Sequence, residues 1–297
     1  MSKLYIVMPV INCLEMTKEA FEAVYSEVPW SFILIDQESN DGTEQWAHGM
    51  ELALSPRANS HPSEFLYIKN SPRIPLAAAW NQGARKAFED PECEYVAIVN
   101  NDVIFHPKTF DHLRKFMDKT GYLMVTGDNI KDRMSKEVML QMELPEAFTD
   151  YDCQEITDWR AEGPDFSCFM VSRKFFEIIG YFDENFIGAY CEDQDAHVRI
   201  RRAFEHIKQF NDQGIDANRV HAKRLSTAPY YHYASQTMVR NIPLRTEISQ
   251  RHGHNQNYYL KKWGAEHPEA MDGKGNIQPF GDARRNWKFW EGGEKYE

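Results

Sequence analysis

Short apolar runs alternate with longer amphipathic stretches along the first third of the chain. Leu4 to Pro9 has the length and character of a strand. After it Met16, Ala20, Val24 and Val28 recur every fourth residue, as one face of a helix would, with Thr17 as its expected cap. Phe32-Ile33-Leu34-Ile35 predicts a second strand ending at Asp36, and Phe65 to Ile68 a third. Leu76, Trp80, Ala84 and Phe88 mark another helix face, and Tyr95-Val96-Ala97-Ile98-Val99 predicts a strand ending at Asn100-Asn101-Asp102. Strands separated by helical repeats are the pattern of βαβ units, so the chain is expected to be α/β, with a Rossmann-like, mostly parallel central sheet flanked by helices.

Periodicity fades between about Asp128 and Gly163, which predicts an irregular insertion suited to a substrate loop. It returns with a strand through Phe169-Met170-Val171, a helix from Lys174 to Ile179 stopped by Gly180, and a turn at Phe182-Asp183-Glu184. A longer helix follows Glu192, with Ala196, Ile200, Ala203 and Ile207 on one face. The tail beyond Lys274 mixes Arg284, Arg285 and Lys288 with Trp287, Phe289 and Trp290. Packing of such a tail on the protein body is favoured over a contact with nucleic acid.

Composition narrows the function. At 297 residues and 42% hydrophobic content the chain can bury a core of full size. A formal charge of −11 argues against a surface built to coat nucleic acid, where affinity comes from Lys and Arg neutralising phosphates. Five cysteines, widely spaced and without a CxxC pair, predict reduced thiols rather than a zinc site or a disulfide framework. No apolar run reaches membrane-spanning length, so no integral membrane segment and a cytoplasmic location are expected.

In open α/β sheets ligands sit beyond the carboxyl ends of the strands, which directs attention to Asp36 and to Asn100-Asn101-Asp102. Asp36 could accept hydrogen bonds from a nucleobase or ribose, or simply belong to a polar turn. Asn100-Asn101-Asp102 could be a plain strand-ending turn, or Asp102 could coordinate a divalent cation whose other ligands are diphosphate oxygens and water, with Asn100 and Asn101 holding the ribose or a second-shell water. Glu192-Asp193-Gln194-Asp195 opens a helix, where acids favour the dipole, yet three acids exceed what one cap needs and one of them could act as a general base. His232, among the aromatics of Tyr230-Tyr231-His232-Tyr233, suits a core hydrogen bond or a metal ligand. Imidazole beside a carboxylate would favour Mn²⁺ over Mg²⁺.

The order of these motifs resembles the inverting family 2 glycosyltransferases of the GT-A fold, over about Leu4 to Gly264. Pro9-Val10-Ile11-Asn12 is similar to the family's first-strand turn at Pro9 and Asn12 but lacks its threonine. Asp36 through Thr43 resembles the segment whose first acid reads the base, usually uracil. Asn70 and the stretch around Asn81 resemble an Asn-rich helix start, with Arg73 placed beside the nucleotide. Asn100-Asn101-Asp102 looks like a variant of the Asp-x-Asp metal motif, which implies Asp102 as a ligand of Mn²⁺ or Mg²⁺ with His232 completing the site. Arg173, Gly180 through Glu184, the acids from Glu192 and Arg199 resemble the family's second half most closely. Tyr258 to Gly264 resembles a common C-terminal segment. The resemblance implies Asp193 as catalytic base, with Glu192 and Asp195 arranging the acceptor.

The implied reaction moves a sugar from a nucleotide-diphosphate donor, UDP-linked by expectation, to a hydroxyl of a glycan, a lipid-linked precursor or another acceptor. Residues 1–115 would form the nucleotide-sugar half of one GT-A domain, 116–235 its acceptor half, and 236–297 a helical or irregular extension. A nucleotidylyltransferase is disfavoured because Met8 to Glu19 has no glycine to cradle a triphosphate. The same motifs would also suit a catalytically inactive sugar-binding module, or a transferase acting on a modified nucleic-acid base.

Overall fold

The computed structural model describes residues 3–53, 62–146, 153–155, 165–210, 214–234 and 236–263. The first half is a series of βαβ units. Strands β1 (Lys3–Val10), β2 (Trp30–Asp36), β3 (Glu64–Lys69) and β4 (Cys93–Val99) alternate with helices α1 (Leu14–Glu22), α2 (Thr43–Ala53) and α3 (Leu76–Phe88). Then come β5 (Val103–Phe105), α4 (Thr109–Thr120), β6 (Met124–Asn129), α5 (Lys136–Leu140), β7 (Cys153–Glu155), β8 (Cys168–Ser172), α6 (Arg173–Ile179) and α7 (Glu192–Phe210). Strand β9 (Lys223–His232) and helices α8 (Gln236–Arg240) and α9 (Ile242–Trp263) follow.

Among the described residues the strands form one 9-stranded sheet in the order β3-β2-β1-β4-β8-β6-β9-β5, with β7 also on β9. The first four are mutually parallel; β6 and β9 run with them, while β5, β7 and β8 run against them. Both faces are covered, which explains the unbroken apolar run of β1. Its side chains alternate: Tyr5 and Val7 join a core with Trp80 and Phe182, whereas Leu4, Ile6 and Met8 join one with Phe21 and Phe32 on the other face. Helix α3 approaches β1 so closely that a Cβ on Gly83 would lie 2.2 Å from Val7 Cγ1, so only glycine fits there.

Two sequence expectations are corrected. Thr17 does not cap α1 but lies within it, fully buried, and accepts a hydrogen bond from Asn101 Nδ2 at 3.1 Å. The stretch from Asp128 is more ordered than expected: it holds the end of β6, α5 and β7. Residues 147–152 and 156–164 of it, and the cationic aromatic tail, lie outside the described residues. Cys13, Cys93, Cys168 and Cys191 are free thiols. No described helix is long and apolar enough to cross a membrane.

Candidate active site

Beyond the carboxyl ends of β1 and β4 opens a cavity of about 690 Å³. Eight of the residues singled out in the sequence line it: Pro9, Arg73, Asn100, Asn101, Asp102, Glu192, Asp193 and His232. Its size is in the range of small-molecule sites.

Strand register brings Asp102 and His232 together across 130 residues of chain. β5 pairs antiparallel with β9, setting Val103 opposite His232, and Tyr233 N donates to the Asp102 carbonyl at 2.9 Å. His232 Nε2 lies 3.0 Å from Asp102 Oδ1, while its Nδ1 faces Ser167 Oγ at 3.1 Å, which fixes the ring. The other oxygen of Asp102 accepts from Gln236 N at 3.1 Å. Neighbouring Asn101 is held from both ends: its Oδ1 accepts from Thr237 Oγ1 at 3.1 Å.

The two side chains are hydrogen-bonded to each other, at a separation that two ligands of one divalent cation would also have. Two ligands about 2.1 Å from one octahedral ion and at right angles stand about 3.0 Å apart, and Asp102 Oδ1 and His232 Nε2 have that spacing. One carboxylate oxygen with one imidazole nitrogen suits Mn²⁺ better than Mg²⁺. The described residues contain no cluster of three or more His, Cys, Asp or Glu able to hold a metal ion, so further ligands would have to come from diphosphate and water.

The same cavity is lined by two acids from the start of α7, Glu192 and Asp193. Glu192 is buried, and its Oε2 has no hydrogen-bond partner among the described residues. Burial, and then the charge of Asp193, push its carboxyl up to about 8. Asp193 is half-buried, and burial raises its carboxyl too, against the 2.8 Å hydrogen bond that its Oδ1 accepts from Gln194 N. An acid so placed is a better proton acceptor than an exposed one.

The remaining expectations fare differently. Asp195 does not reach the cavity: fully buried, it accepts from Arg199 Nε at 2.8 Å and Trp263 Nε1 at 2.9 Å, with Lys262 Nζ at 2.5 Å. Burial works to raise its carboxyl, but Lys262 and Arg199 outweigh it and hold it below the usual carboxylate range. Asn81 is likewise committed elsewhere: its Nδ2 donates to Phe182 O and Glu184 Oε1, both at 2.8 Å, and its Oδ1 accepts from Phe182 N at 2.9 Å. It ties α3 to the turn before α7. Asp36 and Asn12 stand beside the cavity rather than on its lining. Asp36 is fully buried, accepting from Ser39 N and Tyr67 OH, and Asn12 Oδ1 accepts from Asn40 N.

Gln37 and Trp80 are among the lining residues that sequence reasoning passes over. Gln37 follows the strand-end acid, its Oε1 accepts from Ile74 N at 2.9 Å, and its buried Nε2 has no partner among the described residues. Trp80, which periodicity places only on a helix face, also lines the cavity, and its buried Nε1 has no partner among the described residues. Position directly after Asp36 is a usable signal for Gln37; nothing in the periodicity distinguishes Trp80 from a core residue.

The comparisons with known proteins agree with this architecture. The family model described as glycosyl transferase family 2 matches residues 5–180, more than half of the chain. The chain belongs to that family and has a GT-A-type fold. No curated protein matches it. Among solved structures, S. aureus TarS is similar at a TM-score of 0.51 and 14% identity, over 78% of this chain and 37% of that one. TarS 1–349 in complex with UDP-GlcNAc is similar at 0.50 and 14% identity, over 77% of this chain and 58% of that one. The same TarS fragment with UDP gives 0.50 and 14%, over 77% and 60%. The chain thus spans less than two thirds of each structure.

Proposed function

We propose that this chain is an inverting, divalent-cation-dependent glycosyltransferase that moves a sugar from a nucleoside-diphosphate donor to an acceptor hydroxyl, with Asp193 as general base. The observation that carries the reading is the sharing of one cavity by the Asp102–His232 pair and the Glu192–Asp193 acids. Asp102 and His232 would hold Mn²⁺ or Mg²⁺, and the bound ion would offset the negative charge of the diphosphate.

The protein's own groups do the rest. Pro9, Gln37, Arg73, Asn100 and Asn101, all on the cavity lining, would receive the nucleotide, with Asp36 and Asn12 next to lining residues in the chain. Gln37 offers its Nε2–H to a base carbonyl, because its Oε1 is already engaged by Ile74 N. Asp193 takes the proton from the acceptor hydroxyl as the oxygen attacks the anomeric carbon, and the bond to the diphosphate breaks on the opposite face. The departing diphosphate needs no proton, so one carboxylate suffices, in contrast to inverting glycosidases with their acid and base. Glu192 hydrogen-bonds a hydroxyl of the bound sugar or acceptor through its unpartnered oxygen. UDP is the first nucleotide to test, since the structurally similar TarS was solved with UDP and UDP-GlcNAc. Glycans, lipid-linked precursors and other hydroxyl compounds are the acceptor classes.

The test is a thermal-shift screen of UDP-, GDP- and dTDP-sugars with Mn²⁺, Mg²⁺ or chelator, followed by NMR of the product from any donor that binds. A cation-dependent shift and an anomeric centre of inverted configuration are expected. A retained configuration, or binding indifferent to chelator, would refute the reading.

A further inference from the structure

Helix α9 presents one face, formed by Asn255, Tyr258, Tyr259, Lys262 and Trp263, to the segment that leads into α7. The spacing of these residues places them on adjacent turns of one helix side. Asn255 is fully buried. Its Oδ1 accepts from Ile187 N at 2.9 Å, and its Nδ2 is shared among the carbonyls of Ile187, Ala189 and Tyr190 at 3.0–3.1 Å. The intervening carbonyl, of Gly188, accepts from Leu76 N at 2.8 Å.

The backbone held in this way is strained. Tyr190 has φ 79° and Cys191 φ 76°, a region that such side chains rarely adopt and that persists only where the surroundings impose it. Asp193 lies two residues further on. Beyond it, Lys262 Nζ lies 2.8 Å from Asp183 Oδ2 and 2.5 Å from Asp195 Oδ1, with a side chain only 6% exposed. One helix therefore grips the chain on both sides of Asp193, whose own carboxylate accepts from the adjacent Gln194 N.

We infer that Asn255 is the positioning residue of this active site: by fixing the Ile187–Tyr190 backbone it holds the left-handed turn that aims Asp193 into the cavity. This rests on the reading of Asp193 as general base. Asn255 does not line the cavity. Its effect is accordingly on turnover and not on nucleotide affinity.

The assay is release of nucleoside diphosphate from whichever UDP-, GDP- or dTDP-sugar the unmodified protein turns over with Mn²⁺, beside calorimetry of the nucleotide. Asn255→Ala is expected to lower kcat about 10- to 100-fold, the scale of a displacement near the reacting atoms, with nucleotide affinity unchanged. Cys191→Gly added to Asn255→Ala should restore part of the loss, because glycine adopts positive φ without strain. A generally loosened fold would gain nothing from that second change. Should Asn255→Ala not fold, Asn255→Asp is measured instead, since it keeps the acceptor for Ile187 N and removes the amide donor. Unchanged kcat in a folded variant, a joint loss of kcat and nucleotide affinity, or no recovery with Cys191→Gly would each overturn the inference. Asp193→Asn is run in parallel: an inactive Asp193→Asn beside a fully active Asn255→Ala defeats only the positioning role, whereas an active Asp193→Asn defeats the assignment of the base.

Discussion

Replacing Asp193 by asparagine separates chemistry from binding. The side chain keeps its size, and an amide oxygen can still accept the 2.8 Å hydrogen bond from Gln194 N, so the start of α7 is preserved. What disappears is the capacity to take a proton, and general base catalysis of this kind is worth about 10²- to 10⁴-fold in rate, or about 3 to 5 kcal/mol of barrier. Stability should move the other way. Burial and the Asp193 charge raise Glu192 to about 8 in the folded protein, which then binds a proton that the unfolded chain, with an ordinary glutamate, has released. That proton makes stability fall as pH rises from about 4.5 towards 8, and Asp193, itself raised by burial, acts in the same direction. Asp193→Asn removes one buried charge and eases the other. Its thermal midpoint should exceed that of the unmodified protein at pH 8 and converge with it near pH 4. Single-turnover kinetics, nucleotide calorimetry and melting at the two pH values supply the readouts. A rate loss below about tenfold in a folded protein with intact nucleotide affinity would show that another group takes the proton.

Other outcomes follow from the same geometry. Asp102→Ala and His232→Ala should each abolish the Mn²⁺ dependence of nucleotide binding, and identical calorimetric titrations with and without Mn²⁺ in the unmodified protein would remove the basis for this expectation. Because burial raises the Asp193 carboxyl, kcat/KM should climb with pH through a midpoint above the ordinary aspartate value, and a pH profile flat down to 4 would contradict it. Asn81→Leu leaves the N–H and carbonyl of Phe182 without their partner, at about 1–3 kcal/mol for each buried group; melting should shift down while nucleotide affinity at low temperature stays unchanged.

The parallel half of the sheet is legible in the sequence because β1, β2 and β4 are covered on both faces and therefore read as unbroken apolar runs, with Asp36 and Asp102 marking their ends. β9 is not. Lys223, Arg224, Ser226 and Pro229 interrupt its apolar positions, and its place in the sheet depends on neighbours distant in sequence. The acids of α7 show a different limit. Asp193 and Asp195 are the same residue type two positions apart, and one faces the cavity while the other is neutralised by Arg199, an i,i+4 spacing visible in the sequence, and by Lys262, far along the chain and not visible there. Asn81 has an amide suited to a nucleotide, but that amide serves a turn 101 residues away, a pairing no local pattern reveals.

Asp102 is held through its two oxygens by residues 130 and 134 positions later in the chain. A growing polypeptide that has not yet delivered β9 and Gln236 would carry this acid with neither of these partners. Under the proposed cation role, a chain stalled before that point should bind nucleotide without any response to Mn²⁺.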